Sequence, residues 1–153
     1  CGSCHGGGDF DQPTEDGEVV ARHGWFNIGL YDVDGQGTYP TGGHGRFEQT
    51  GVPTDMGRFR TPTLRNVELT GPYYHDGSGA TLADVIQNYA AGGRVVAGGP
   101  NPGDGRANPY KSDQVRGFQI SDQEALDLEA FLRALTDWDM IERPALADPW
   151  PRD

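Results

Sequence analysis

The residues best equipped for chemistry are the first five, Cys1-Gly2-Ser3-Cys4-His5. This is a C-x-x-C-H motif, the attachment signature of a c-type haem. On a helical turn, positions i, i+3 and i+4 share one face. Cys1 and Cys4 can therefore reach the two vinyl groups of one porphyrin as thioethers, and His5 comes up beneath the iron as an axial ligand. The competing readings use the same residues less well. A zinc site needs four ligands, and Cys1 and Cys4 are the only cysteines. A thioredoxin-like C-x-x-C follows a strand and opens a helix, whereas this one occupies the first residues. A Cys1–Cys4 disulfide remains the alternative where no haem is attached. The expected cofactor is covalent haem c.

A haem also bears on how this chain can fold. The 153 residues are 35% hydrophobic and include 24 Gly and 11 Pro, which is poor in core formers and rich in turns. The length suits one domain, expected over residues 1–140 with a Pro-rich tail at 141–153. An apolar porphyrin plate would offset the shortage of core. The formal charge of -11 argues against nucleic acid as a partner and suits a basic or neutral redox protein. No apolar run approaches the ~20 residues needed to span a bilayer. Because haem is attached to C-x-x-C-H outside the bacterial cytoplasm, the expected location is the periplasm. A chain that opens at Cys1 is expected to be part of a longer polypeptide, or one chain of an assembly.

Two helices are signalled. Thr81 with Asp84 forms a capping-box pattern, and Leu82, Val85, Ile86 and Tyr89 follow at helical spacing until Gly92-Gly93. Ser121 with Glu124 repeats the box ahead of the stripe Leu128, Phe131, Leu132 and Leu135. Residues 6–60 and 92–117 read as loop. Asp32, Asp34 and Gly37 are faintly like a calcium loop but lack its closing glutamate, so a solvated turn is expected there.

The central block, Asp55 to Gly77, contains Gly57-Arg58-Phe59 and then Thr61-Pro62-Thr63-Leu64-Arg65-Asn66-Val67-Glu68-Leu69-Thr70-Gly71-Pro72-Tyr73-Tyr74-His75-Asp76-Gly77. With the C-x-x-C-H motif, Phe26-Asn27-Ile28-Gly29 and Phe131-Leu132-Arg133-Ala134-Leu135, it resembles the C-terminal haem domain of the bacterial di-haem cytochrome c peroxidase and MauG family over about residues 1–136. The resemblance implies a mostly α, loop-rich, cytochrome c-like haem domain. It also implies that a second haem, where hydrogen peroxide reacts, is held upstream or by a separate subunit. No catalytic residue is then expected in this chain, which serves as a store or relay of oxidising equivalents. The implied enzyme oxidises a partner protein or reduces hydrogen peroxide. The alternative is a mono-haem electron-transfer subunit without peroxidase activity.

The sixth iron ligand separates these chemistries. The family places it on the helix after H-D-G, where the aligned residue is Tyr89; Met56 is the runner-up, and Met140 is read as packing. A thioether raises the potential of a haem. A phenolate, formed because a metal ion can deprotonate its ligand, lowers it, which tilts the reading toward MauG-like oxidation of a partner. The resemblance also places His75 near the haem as a hydrogen-bonding residue. It further implies a calcium ion bound by the backbone carbonyls of Thr70 and Pro72. Arg65 suits a haem propionate, since a guanidinium fork matches a carboxylate. His23 and His44, in Gly-rich loops, are expected to be solvent-exposed.

Overall fold

The computed structural model describes residues 1–20 and 24–146. Both capping boxes form as the sequence predicts. Helix α2, Leu82–Ala90, opens with the Thr81 side chain accepting from the Asp84 N–H while the Asp84 carboxylate accepts from the Thr81 N–H. Helix α3, Asp122–Ala134, has the same reciprocal pair at Ser121 and Glu124. Each box satisfies N–H groups that the first helical turn leaves without partners. Short helices α1, Phe47–Thr50, and α4, Trp138–Ile141, complete the set among the described residues.

The expectation of a mostly α, cytochrome c-like domain is corrected here: 29% of the described residues are helical and 13% extended, and the rest are turn and loop. Among the described residues, six two-residue strands pair as three antiparallel ribbons. β1 (Thr14–Glu15) pairs with β2 (Glu18–Val19), β3 (Trp25–Phe26) with β4 (Phe59–Arg60), and β5 (Val95–Val96) with β6 (Gly103–Asp104). The physical reason lies in the turn residues. Glycine and proline recur through the loops at 28–81 and 92–117 before a longer helix can propagate there, and polar side chains hold the backbone instead.

Asn27 shows how. Its side chain is 1% exposed. Oδ1 accepts from the Gly29 N–H at 2.9 Å and from the Tyr39 hydroxyl at 2.7 Å, and Nδ2 donates to the Met56 carbonyl at 2.9 Å. Three loops are thereby joined at one buried amide. Around it packs the core of Leu30, Tyr39 and Met56, bordered by Ile28, Phe47, Phe59 and Tyr74. Asn108 repeats the device, donating to the carbonyls of Tyr31 and Gly37 while accepting from the Tyr110 N–H. The turn at Asp34 is closed by its own carboxylate, which accepts from the N–H groups of Gln36 and Thr38 and from the Thr38 hydroxyl. Those hydrogen bonds hold Asp34 at about 2, below the usual carboxylate range.

Candidate haem site

Residues 1–5 form a tight turn in which the N–H groups of Cys4 and His5 both donate to the Cys1 carbonyl, at 3.1 and 2.9 Å. Both cysteines are free thiols. The Cys4 thiol donates to Gln114 Oε1 at 3.2 Å, and burial pushes its pKa up.

His5 is set up as a neutral imidazole of one tautomer. Its Nδ1 lies 2.9 Å from the Phe10 carbonyl oxygen. A carbonyl can only accept, so Nδ1 carries the proton and Nε2 keeps its lone pair. Burial holds the His5 pKa below the ordinary histidine range. A buried, neutral imidazole anchored at Nδ1 by a backbone carbonyl is the form in which histidine binds a metal through Nε2; the Pro62 backbone also lies close enough to act on the ring.

Tyr89 is half-buried near the C-terminal end of α2. Burial, followed by the charges of Cys4 and Tyr74, raises its pKa well above the ordinary phenol value. The Tyr89 phenol and the Cys4 thiol thus share one electrostatic neighbourhood, and no hydrogen bond occupies the phenol among the described residues.

The other predicted residues divide. Met56 is packed in the core against Leu30 and Tyr39, and Met140 is exposed on α4. His75 stacks on Phe59 with ring centroids 3.9 Å apart and 13° between planes. Its ring makes no hydrogen bond among the described residues, and burial lowers its pKa. His44 is half-buried, edge-on against Phe47, and is less exposed than its Gly-rich surroundings suggest. His23 lies outside the described residues, as do Pro149 and Pro151 of the tail.

Thr70 and Pro72 lie on the surface beside a 3-10 turn at Val67–Leu69. Neither carbonyl accepts a hydrogen bond among the described residues. No cluster of three or more His, Cys, Asp or Glu side chains able to hold a metal ion occurs among the described residues.

Arg65 faces a carboxylate, but a carboxylate of the protein. Nε lies 3.1 Å from Asp9 Oδ1, and Nη2 donates to the Gly8 carbonyl at 2.6 Å. The adjacent Asn66 turns the other way: its N–H donates to the Leu135 carbonyl, and its Oδ1 accepts from the Asp137 N–H at 2.7 Å, docking the end of α3.

Sequence reasoning missed a second polar cluster. Arg94 lies over the Tyr31 ring at 4.5 Å and faces Asp76 at 3.7 Å, while the Tyr31 hydroxyl donates to Asp76 at 2.6 Å. The H-D-G triplet carried the signal, since its Asp76 is the anion that collects these groups.

A Cys-x-x-Cys-His turn with its histidine oriented by a carbonyl, in a loop-rich domain, defines a candidate c-type haem protein. The comparisons agree on the class. No protein-family model matches the chain. It is 44% identical over 92 residues to cytochrome-c peroxidase IdrP1 of Denitromonas iodatirespirans, covering 60% of this chain and 21% of that protein. It is 33% identical over 93 residues to the methylamine utilization protein MauG of Methylorubrum extorquens, covering 61% and 23%. A solved structure, of a MauG-like protein associated with microbial copper homeostasis, superposes with a TM-score of 0.89 at 48% identity, over 99% of this chain and 43% of that one. The chain is thus a homologue of the cytochrome-c peroxidase and MauG proteins and matches their C-terminal region. It spans between a fifth and a quarter of these two curated relatives and less than half of the solved one. Among the described residues, no helix is long and apolar enough to cross a membrane.

Proposed function

We propose that this chain is the c-type haem module of a di-haem oxidoreductase of the peroxidase and MauG kind, working in the periplasm beside a second haem held elsewhere in the protein or its assembly. The observation that carries the reading is the His5 geometry. Nδ1 is committed to the Phe10 carbonyl, and two free thiols sit at the spacing that thioether attachment needs. The donor set fits a haem. Cys1 and Cys4 would tether it, and His5 Nε2 would hold its iron. When bound, a haem supplies a one-electron ferric/ferrous couple.

Tyr89 is the residue that would join His5 in holding the iron. Its own surroundings favour the protonated phenol, so only a strong positive charge next to the oxygen would take the proton off. That makes ligation by Tyr89 conditional on the iron and favours the oxidised state. Met56, whose thioether would favour the reduced state, is occupied in the core. The pair His5 and Tyr89 suits a module that stores oxidising equivalents for transfer to a partner protein. Thr70 and Pro72 offer two carbonyl oxygens to a calcium ion, a hard cation that takes oxygen ligands.

The test is Tyr89→Phe in the haem-loaded protein. A shifted ferric spectrum and a raised potential are expected. An unchanged spectrum and potential would remove Tyr89 from the iron.

A further inference from the structure

The T-P-x-L-R-N block is a long distance from the C-x-x-C-H motif in sequence, yet its polar side chains converge on the loop that follows that motif. The Thr63 hydroxyl donates to the Asp9 carbonyl at 2.5 Å. The Arg65 N–H donates back to Thr63 Oγ1 at 3.1 Å. The Arg65 guanidinium spans Asp9 Oδ1 and the Gly8 carbonyl and lies 5.9 Å from the Phe10 ring centroid. Arg60 faces Asp11, the residue that follows Phe10, at 3.4 Å. The loop is therefore fastened on both flanks of one residue.

That residue is in an unfavourable conformation. Phe10 has φ of +54°, in the left-handed region that a residue with a Cβ adopts at a cost. Without outside restraint the loop would relax and its carbonyl would turn. In the restrained form the Phe10 carbonyl points at His5 Nδ1. The Phe10 ring is held as well, edge-on against Phe131 of α3 at 6.4 Å.

We propose that Arg65 and Thr63 are positioning residues for the iron ligand: they clamp the Gly8–Asp11 loop so that the Phe10 carbonyl fixes the tautomer and orientation of His5. This rests on the haem reading above. It also replaces the haem propionate as the partner of Arg65 with the chain's own Asp9. The consequence follows from what the Nδ1–H hydrogen bond does. A strong acceptor on Nδ1–H raises the basicity of the imidazole and stabilises the more positive, ferric iron. Loosening the clamp therefore raises the potential. Loss of a positive charge near the iron has the opposite sign, because it stabilises the ferric state. The direction of the shift thus separates a clamp from a simple charge effect.

The experiment uses the haem-loaded protein with Thr63→Val, Arg65→Gln, Arg65→Lys and, as a charge control, Arg106→Gln, which breaks an exposed pair with Asp104. Covalent haem is first confirmed in each by pyridine haemochrome and intact mass. Two readouts follow: the midpoint potential, and the exchange rate of the hyperfine-shifted His5 ring N–H by NMR. T63V and R65Q are expected to shift the ferric/ferrous equilibrium about tenfold toward ferrous, ~59 mV upward for one electron. They are also expected to speed ring N–H exchange at least about tenfold. R65K keeps the charge but not the planar fork, and is expected to move the same way by a smaller amount, while R106Q stays near wild type. A downward shift for R65Q with T63V unchanged would overturn the clamp in favour of a charge effect. So would unchanged N–H exchange in both. Absence of covalent haem from the wild type would instead overturn the haem reading, and the clamp with it.

Discussion

Replacing Asn27 by alanine should be among the most damaging single changes to this fold. The side chain makes three hydrogen bonds at 1% exposure. Truncation strands the Gly29 N–H and the Met56 carbonyl. The Tyr39 hydroxyl keeps the Leu30 N–H, 3.1 Å away, as a donor but loses the acceptor for its own proton. A buried polar group left unpaired costs about 1–3 kcal/mol. Two full losses and one partial loss, relieved by relaxation around the vacated volume, give about 3–5 kcal/mol. Against the ~5–15 kcal/mol typical of a domain this is a large share. The assay is urea unfolding of the haem-loaded protein followed by fluorescence and circular dichroism, with N27A, Tyr39→Phe and the double variant in a cycle. N27A should lower the midpoint with the m-value unchanged. The double variant should cost clearly less than the sum, because both singles remove the same 2.7 Å bond. A loss under about 1 kcal/mol for N27A, or strict additivity in the cycle, would refute the view that this amide joins the loops.

Three further outcomes follow. Gly57 has φ of +69°, and a Cβ there would lie 2.2 Å from the buried Tyr39 ring, so Gly57→Ala should destabilise by about 2–5 kcal/mol in the same unfolding assay. Burial opposes ionisation of Asp76, but hydrogen bonds from Ser78 and Tyr31 outweigh it and hold its pKa at about 2. Its folded-state pKa is below the unfolded value near ~4, so its contribution is present above about pH 4 and is lost as pH falls toward 2; Asp76→Asn should flatten that part of the stability–pH profile. The isolated haem-loaded chain should turn over hydrogen peroxide far more slowly per haem than the complete assembly in a steady-state assay, since the proposed ligation by both His5 and Tyr89 would leave the iron no open position; equal rates would contradict that pairing.

The parts of the fold written in local sequence were legible. Thr81 with Asp84 and Ser121 with Glu124 are three-residue signals, and the bonds they specify form within one turn of helix. The C-x-x-C-H turn is equally local. The paired two-residue ribbons were not readable, because a register such as Trp25 opposite Arg60 depends on chain segments far apart and no alternation runs long enough to announce it. The same limit hid the partner of Arg65. The sequence reading offered a haem propionate as its partner, and spacing alone could not say that Asp9, 56 positions away, would face it instead. At His44 composition misled in a milder way: glycines around it suggested exposure, while Phe47 covers it. Helix content was overestimated because the resemblance carried an architecture that 24 glycines and 11 prolines do not support across the loops.

The central claim is that Cys1, Cys4 and His5 hold a covalent haem. The most direct test is the intact mass of the denatured chain after expression with a c-type haem maturation system, beside Cys1→Ala, Cys4→Ala and the double variant. The account predicts one haem retained by the wild type after acid–acetone extraction, incomplete retention in each single variant, and none in the double. A wild-type chain at its bare polypeptide mass, or with Cys1 and Cys4 joined as a disulfide, would contradict it.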